Sequence, residues 1–107
     1  MRQTYAKVQV ALALNSEPGH RHYGYDLSKK SGVRSGVMYP ILRRMLEAGW
    51  LADGWEDNAK GKPPRRYYRI TDLGMAELGA VVAAARRDAR FRPLFAPVIA
   101  GSGTITT

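Results

Sequence analysis

Tyr39 and Arg43 stand four residues apart in the run from Ser35 to Glu47, and Lys60, Lys62, Arg65, Arg66 and Arg69 fall within ten residues that contain no acid. A guanidinium donates forked pairs of hydrogen bonds that match the major-groove edge of guanine or a phosphate, so the chemistry on offer is recognition of an anion. Machinery for making bonds is not in view. The chain has no cysteine, which removes a thiolate nucleophile, a disulfide framework and a thiolate zinc site. His20 and His22 share a loop with no helical carboxylate at ligand spacing, so no metal is expected. With no nucleophile motif, paired acids or phosphate-cradling glycine loop, the reading is a non-enzyme without cofactor.

Charge narrows the partner. Lys and Arg number 17 against 9 Asp and Glu, a net charge of +8 over 107 residues, and such an excess favours a polyanion, with nucleic acid leading. This length supports one domain with a modest core, the size at which a second subunit often adds burial, so a homodimer is expected. No apolar stretch approaches the roughly 20 residues that cross a bilayer, and the N-terminus has no leader-like apolar region. The expected location is the cytoplasm of a bacterium, with no membrane partner.

The groups that meet the anion need elements to hold them. Residues 3–15 carry Tyr5, Val8, Val10, Ala11, Leu12 and Leu14 at spacings that satisfy a helical stripe and spill beyond it; Asn15, Ser16, Pro18 and Gly19 end that helix. A short second helix has Asp26 near its start and stops at Ser31-Gly32. A third, capped by Ser35 or Gly36 and ending at Gly49, turns Met38, Ile41, Leu42, Met45 and Leu46 inward and Gly36, Tyr39, Arg43 and Glu47 outward. Two short helices with a glycine turn between them are helix-turn-helix grammar, and the outer face at about 36–48 is what a DNA groove would meet.

Behind it, Trp50 to Glu56 and Arg65 to Thr71 alternate as strands of a hairpin whose basic tip at about 57–66 forms a wing. Thr71-Asp72 starts a fourth and longest helix, running to about Arg90. Its apolar residues make two rows, Leu73, Ala76 and Ala80 against Met75, Leu78, Val82 and Ala85, a surface broad enough for its own domain and a second subunit. The expected class is mainly α with a small β-hairpin (α+β), a winged helix-turn-helix with a long C-terminal dimerisation helix. The domain spans residues 1–90, and residues 91–107 form a mobile or loosely docked tail.

Read in order, Tyr23-Gly24-Tyr25-Asp26-Leu27, the block Met38-Tyr39-Pro40-Ile41-Leu42-Arg43-Arg44-Met45, Gly49-Trp50-Leu51, the stretch from Gly61 to Thr71, and Gly74 resemble the short members of the PadR family of bacterial transcriptional regulators, over about residues 5–80. The resemblance implies a homodimeric repressor with its third helix in the major groove, the wing on flanking backbone and terminal helices joining subunits. Where members commonly carry Pro-Gly-Ser or Pro-Gly-Thr before the Tyr-Pro block, this chain has Ser35-Gly36-Val37. A hydroxyl expected at Val37 is missing, and Ser35 is its substitute.

Each contact has a plainer competitor. The backbone donors of Ser35, Gly36 and Val37 suit a phosphate or simply begin a helix. Arg43 is the foremost base reader, beside Tyr39. Arg44 divides evenly between phosphate contact and covering apolar surface with its stem. Lys62, Arg65 and Arg66 are expected on phosphate from a flexible hairpin tip, against a merely solvated loop. Tyr25 either donates its hydroxyl to phosphate or caps the junction of the first two helices. At least one of Tyr67 and Tyr68 belongs to the core, and Lys29 and Lys30 read as solvated charge. Trp50 and Trp55 suit a small aromatic or apolar effector, with packing of the hairpin preferred. Double-stranded DNA is thus the expected partner; the alternatives are a winged-helix module for protein or RNA and a ligand-sensing or scaffolding dimer.

Overall fold

A computed structural model of the protein describes residues 2–57 and 61–95. Helix α1 (Tyr5–Asn15) begins at Thr4, whose hydroxyl accepts from the Lys7 amide at 3.1 Å. Its Val8, Val10, Ala11, Ala13 and Leu14 are all buried because α1 packs against three other helices. An apolar pattern that exceeds one stripe is what a helix enclosed by neighbours requires.

Strand β1 (His22–Tyr23) leads into α2 (Gly24–Ser31), which closes on Gly32 in the left-handed region at φ 74°. Glycine adopts that region without steric cost, and so turns the chain between the two helices. Helix α3 (Ser35–Glu47) buries Met38, Leu42 and Met45 and half-buries Ile41 and Leu46, the stripe expected of it. Its cap differs. Arg34 holds the N-cap position with no side-chain bond, Ser35 is already helical, and the Val37 amide donates to the Arg34 carbonyl at 3.0 Å.

Strands β2 (Leu51–Glu56) and β3 (Arg65–Ile70) form the expected hairpin, and β1 pairs with the other edge of β3, giving an antiparallel sheet in the order β1-β3-β2. The pairing sets Trp55 opposite Arg66, Asp53 opposite Tyr68 and Tyr23 opposite Tyr67. Strand β1 had no signal of its own, since two residues are too few to show alternation.

Helix α4 (Asp72–Arg86) is the longest, capped by Thr71, whose hydroxyl accepts from the Gly74 amide at 2.9 Å. It buries Gly74, Leu78, Val81 and Ala85 and exposes Leu73, Met75, Ala76 and Ala80. Of the two expected rows, Leu78 and Ala85 are buried and Met75 is not, while Val81, in neither row, is buried. The helix also stops short of Arg90. Asp88 turns the chain by accepting from the Arg90 amide at 2.9 Å, and Ala89–Phe91 forms a single 3-10 turn followed by α5 (Arg92–Phe95).

Residues 91–95, expected to begin a mobile or loosely docked tail, start with a docked ring. Phe91 is 2% exposed and stacks on Tyr5 with ring centroids 6.0 Å apart, and Pro93 sits in the first turn of α5, where its missing N–H costs nothing. Residues 96–107, the remainder of that tail, lie outside the described residues. Among the described residues no helix is long and apolar enough to cross a membrane.

Candidate nucleic-acid interface

The outer face of α3 and the root of the hairpin meet in one recess of about 80 Å³, lined by Tyr39, Arg43, Leu46, Arg66 and Tyr68. Arg43 is exposed on the solvent side of α3, with its neighbours Met38, Leu42 and Met45 taking the inward positions. Tyr39 is 44% exposed and leans back over α2, with its hydroxyl end against Gly24. A rigid helix and a β-sheet thus present an arginine each to the same side of the molecule.

Arg66 is the more constrained of the two. Its Nε and Nη2 donate to Asp53 Oδ2 at 3.1 and 2.6 Å, and its guanidinium lies over the Tyr68 ring, 5.1 Å from the centroid. The hydrogen bonds it donates to Asp53 raise the Arg66 pKa further, so the cation persists at every working pH. Arg65 takes a different course. Successive residues of a strand point to opposite faces, and Arg65 stacks over Tyr23 at 3.9 Å on the far face of the sheet.

On that far face, Tyr23 and Arg21 both donate to Glu56 Oε1, the latter at 3.1 Å, while Arg21 also covers the Tyr67 ring at 4.2 Å. The Tyr23 hydroxyl, and then Arg21, hold the Glu56 carboxyl below the usual carboxylate range. The Tyr23 phenol is pushed up by the same bond. This network ties the loop before α2 to the end of β2.

Sequence reasoning placed Arg65 and Arg66 together on a flexible tip. The structure seats both inside β3, on opposite faces, and leaves Asp57 and Gly61 to Pro64 as the described residues of the loop before it. Lys62 is exposed in that loop. Asp53, Glu56 and Arg21 were missed; the strand register that pairs β2 with β3 is the signal that brings Asp53 and Arg66 to one face.

The remaining candidates scatter. Tyr25 is 72% exposed with Lys29 over its ring at 5.2 Å, so it stands clear of the helix junction. Ser35 and Gly36 are exposed at the start of α3, and their amides precede the internal hydrogen-bond ladder. Arg44 points away from Arg43 into a groove between α3 and α1. Trp50 is half-buried against the core beneath Lys7, whose ammonium lies 5.6 Å from its ring, whereas Trp55 is 66% exposed on β2. Packing describes Trp50 and not Trp55.

His22 is buried rather than solvated. Its Nε2 lies 3.0 Å from the Glu17 carbonyl, which can only accept, so the proton of the neutral ring is on Nε2. Burial lowers its pKa.

A family model described as the transcriptional regulator PadR-like family matches residues 12–80. Solved structures of regulators from that family share the architecture. One from Eggerthella lenta is 33% identical over 80% of this chain and 79% of that chain, with a TM-score of 0.62. A PadR-like regulator from Bacillus cereus is 26% identical over 84% and 93%, with a TM-score of 0.61. One from Clostridium difficile is 21% identical over 86% and 98%, with a TM-score of 0.66, and speaks for the fold alone. No curated protein sequence gives a significant match.

Proposed function

Because the chain belongs to the PadR-like family of transcriptional regulators, and is a DNA-binding regulator and not an enzyme, we propose that it acts in the cytoplasm as a homodimeric repressor that reads the major groove with α3 and steadies itself on the backbone with its basic hairpin. The observation that carries this reading is the shared recess, where Arg43 of α3 and Arg66 of β3 stand side by side on one face. One double helix lying along that face meets both. Arg43 supplies base recognition from a rigid helix, and Tyr39 flanks it. Ser35, Gly36, Tyr25 and Lys62 contact phosphate around it, whereas Arg65 on the far face of the sheet and Arg44 in the groove beside α1 stand away from that recess.

A second subunit docks on the exposed Leu73, Met75, Ala76 and Ala80 of α4, so that two copies of α3 address two half-sites. A small apolar effector relieves repression, and half-buried Trp50 is the better placed of the two tryptophans to sense it. The test is selection of bound fragments from the source genome, followed by titration of the best duplex at several salt concentrations. The logarithm of affinity should fall with slope of about −0.9 for each phosphate neutralised. A flat salt response, or no enriched fragment, refutes operator binding.

A further inference from the structure

The groove into which Arg44 points has a volume of about 380 Å³ and lies between the start of α1 and the side of α3 that faces away from Arg43. Three cations, Arg2, Lys7 and Arg44, stand around it, and its walls are aliphatic: Ala6, Val37, Pro40 and Ile41. Among the residues that line it there is no acid. We propose that this groove binds a small acyl carboxylate, with the carboxylate held by Lys7 and the two arginines and the chain laid along the aliphatic walls.

The cations alone would also suit the phosphate backbone, but Lys7 is set deeper than the exposed Arg2 and Arg44. Lys7 is only 4% exposed, with its ammonium 5.6 Å from the Trp50 ring. A duplex rolls over exposed charge; a slender anion can enter. Burial also lowers the Lys7 pKa. Aliphatic walls serve an acyl chain and offer nothing to a sugar-phosphate backbone. The volume lies in the range of sites for small ligands.

The groove is built partly from α3 itself. An occupant touches Val37, Pro40, Ile41 and Arg44, so a ligand that prefers one placement of α3 changes DNA affinity, and DNA changes ligand affinity by the same factor. That coupling rests on the function proposed above; binding of the ligand does not, and the two are measured separately.

Calorimetric titration of the full chain without DNA, using hexanoate, octanoate and decanoate, tests the site. Affinity should rise about fourfold per added methylene until the groove is filled. Octanamide should bind about tenfold more weakly than octanoate, a difference that Lys7→Met should erase. Arg2→Gln should weaken octanoate about tenfold and leave ligand-free DNA binding unchanged, and Ala6→Leu, which fills the groove without altering charge, should abolish octanoate binding. Circular dichroism checks that each variant is folded; if Lys7→Met is not, the other two carry the test. No octanoate binding, binding indifferent to Ala6→Leu and Arg2→Gln, benzoate preferred to octanoate, or octanoate that only splits the dimer would each overturn the proposal. Octanoate binding without any change in DNA affinity upholds the site and rejects its coupling to α3.

Discussion

The side chain of Tyr39 fills the space that a β-carbon on Gly24 would take: such a carbon would lie 2.9 Å from Tyr39 Cζ and closer still to its hydroxyl oxygen. Glycine at the start of α2 is therefore what lets the outer tyrosine of α3 fold back beside Arg43. Gly24→Ala should leave the domain folded, since the far end of a tyrosine can swing aside, but it should turn Tyr39 into the space DNA occupies. Discrimination between the selected operator and a scrambled duplex should fall about tenfold in fluorescence anisotropy, the worth of a displaced base contact. An unchanged ratio would show that the seat of Tyr39 is irrelevant to reading.

Arg43 and Lys62 should fail differently. Arg43→Ala should cost about 1–3 kcal/mol on the operator and relax preference at one base pair, whereas Lys62→Ala should weaken every duplex alike and shallow the salt slope by about one unit. Asp53→Asn separates the third case. Arg66 is now tethered to Asp53 at 2.6 Å, and untethering it removes an acid and frees a cation. Affinity for all duplexes should rise while the operator's advantage shrinks, with stability changing by less than about 1 kcal/mol for an exposed pair. A parallel loss on all sequences for Arg43→Ala would reject the assignment of base reading to α3.

The inward stripe of α3, the hairpin and the capping of α4 by Thr71 were legible because each rests on local periodicity or a local hydrogen bond. What escaped depends on partners far away in sequence. Strand β1 exists only because β3 offers it an edge, and the opposite facing of Arg65 and Arg66 follows from where the strand begins. Which apolar residues of α4 turn inward, Leu78, Val81 and Ala85 but not Met75, is set by packing on α1, which no spacing within α4 could reveal. The groove at Arg44 needs the start of α1 laid against α3.

Stability should depend on pH in two separate windows. Burial lowers the His22 pKa, so between its folded value and the ordinary one near 6.5 the unfolded chain takes up a proton that the folded chain refuses. Stability is then complete above that ordinary value and declines as pH falls below it, by at most about 1.4 kcal/mol per pH unit for one proton. Denaturant titrations between pH 5 and 7 should show this decline, and His22→Gln, which keeps a donor for the Glu17 carbonyl, should flatten it. A second loss should begin near the usual carboxylate range, about 4.5. There the unfolded chain begins to take up a proton that folded Glu56, held low by Tyr23 and Arg21, still refuses; the loss is complete only at lower pH, where Glu56 itself is protonated and the hairpin loses its tie to β1.

Two glycines of α4 should respond oppositely to the same substitution. A β-carbon on Gly74 would stand 2.8 Å from the Trp50 carbonyl carbon and 3.0 Å from Ile70 Cγ2, and backbone cannot swing away. Gly74→Ala should cost about 2–3 kcal/mol, lowering the melting temperature by roughly 10–20 °C for a domain of this size. Gly79 meets nothing within 4 Å, so Gly79→Ala should add about 0.5–1 kcal/mol through helix propensity. Equal shifts in thermal unfolding would show that the approach of α4 to the turn before β2 is looser than described.

The exposed row on α4 gives the sharpest test of assembly. Leu73 and Met75 are 49% and 48% exposed at the two margins of the outer face of α4, and Ala76 and Ala80 lie between them with side chains small enough for another helix to come close. Burying a leucine and a methionine contributes about 1.5–3 kcal/mol each, and a symmetric contact counts every residue twice. Met75→Glu places a charge on each side of that contact, where like charges meet without a partner. Sedimentation should show a folded monomer in place of a dimer, and operator affinity should fall much more than affinity for a half-site, because only the dimer addresses both turns of the helix at once. A Met75→Glu protein that stays dimeric and still prefers the full operator would move the subunit contact elsewhere on the chain.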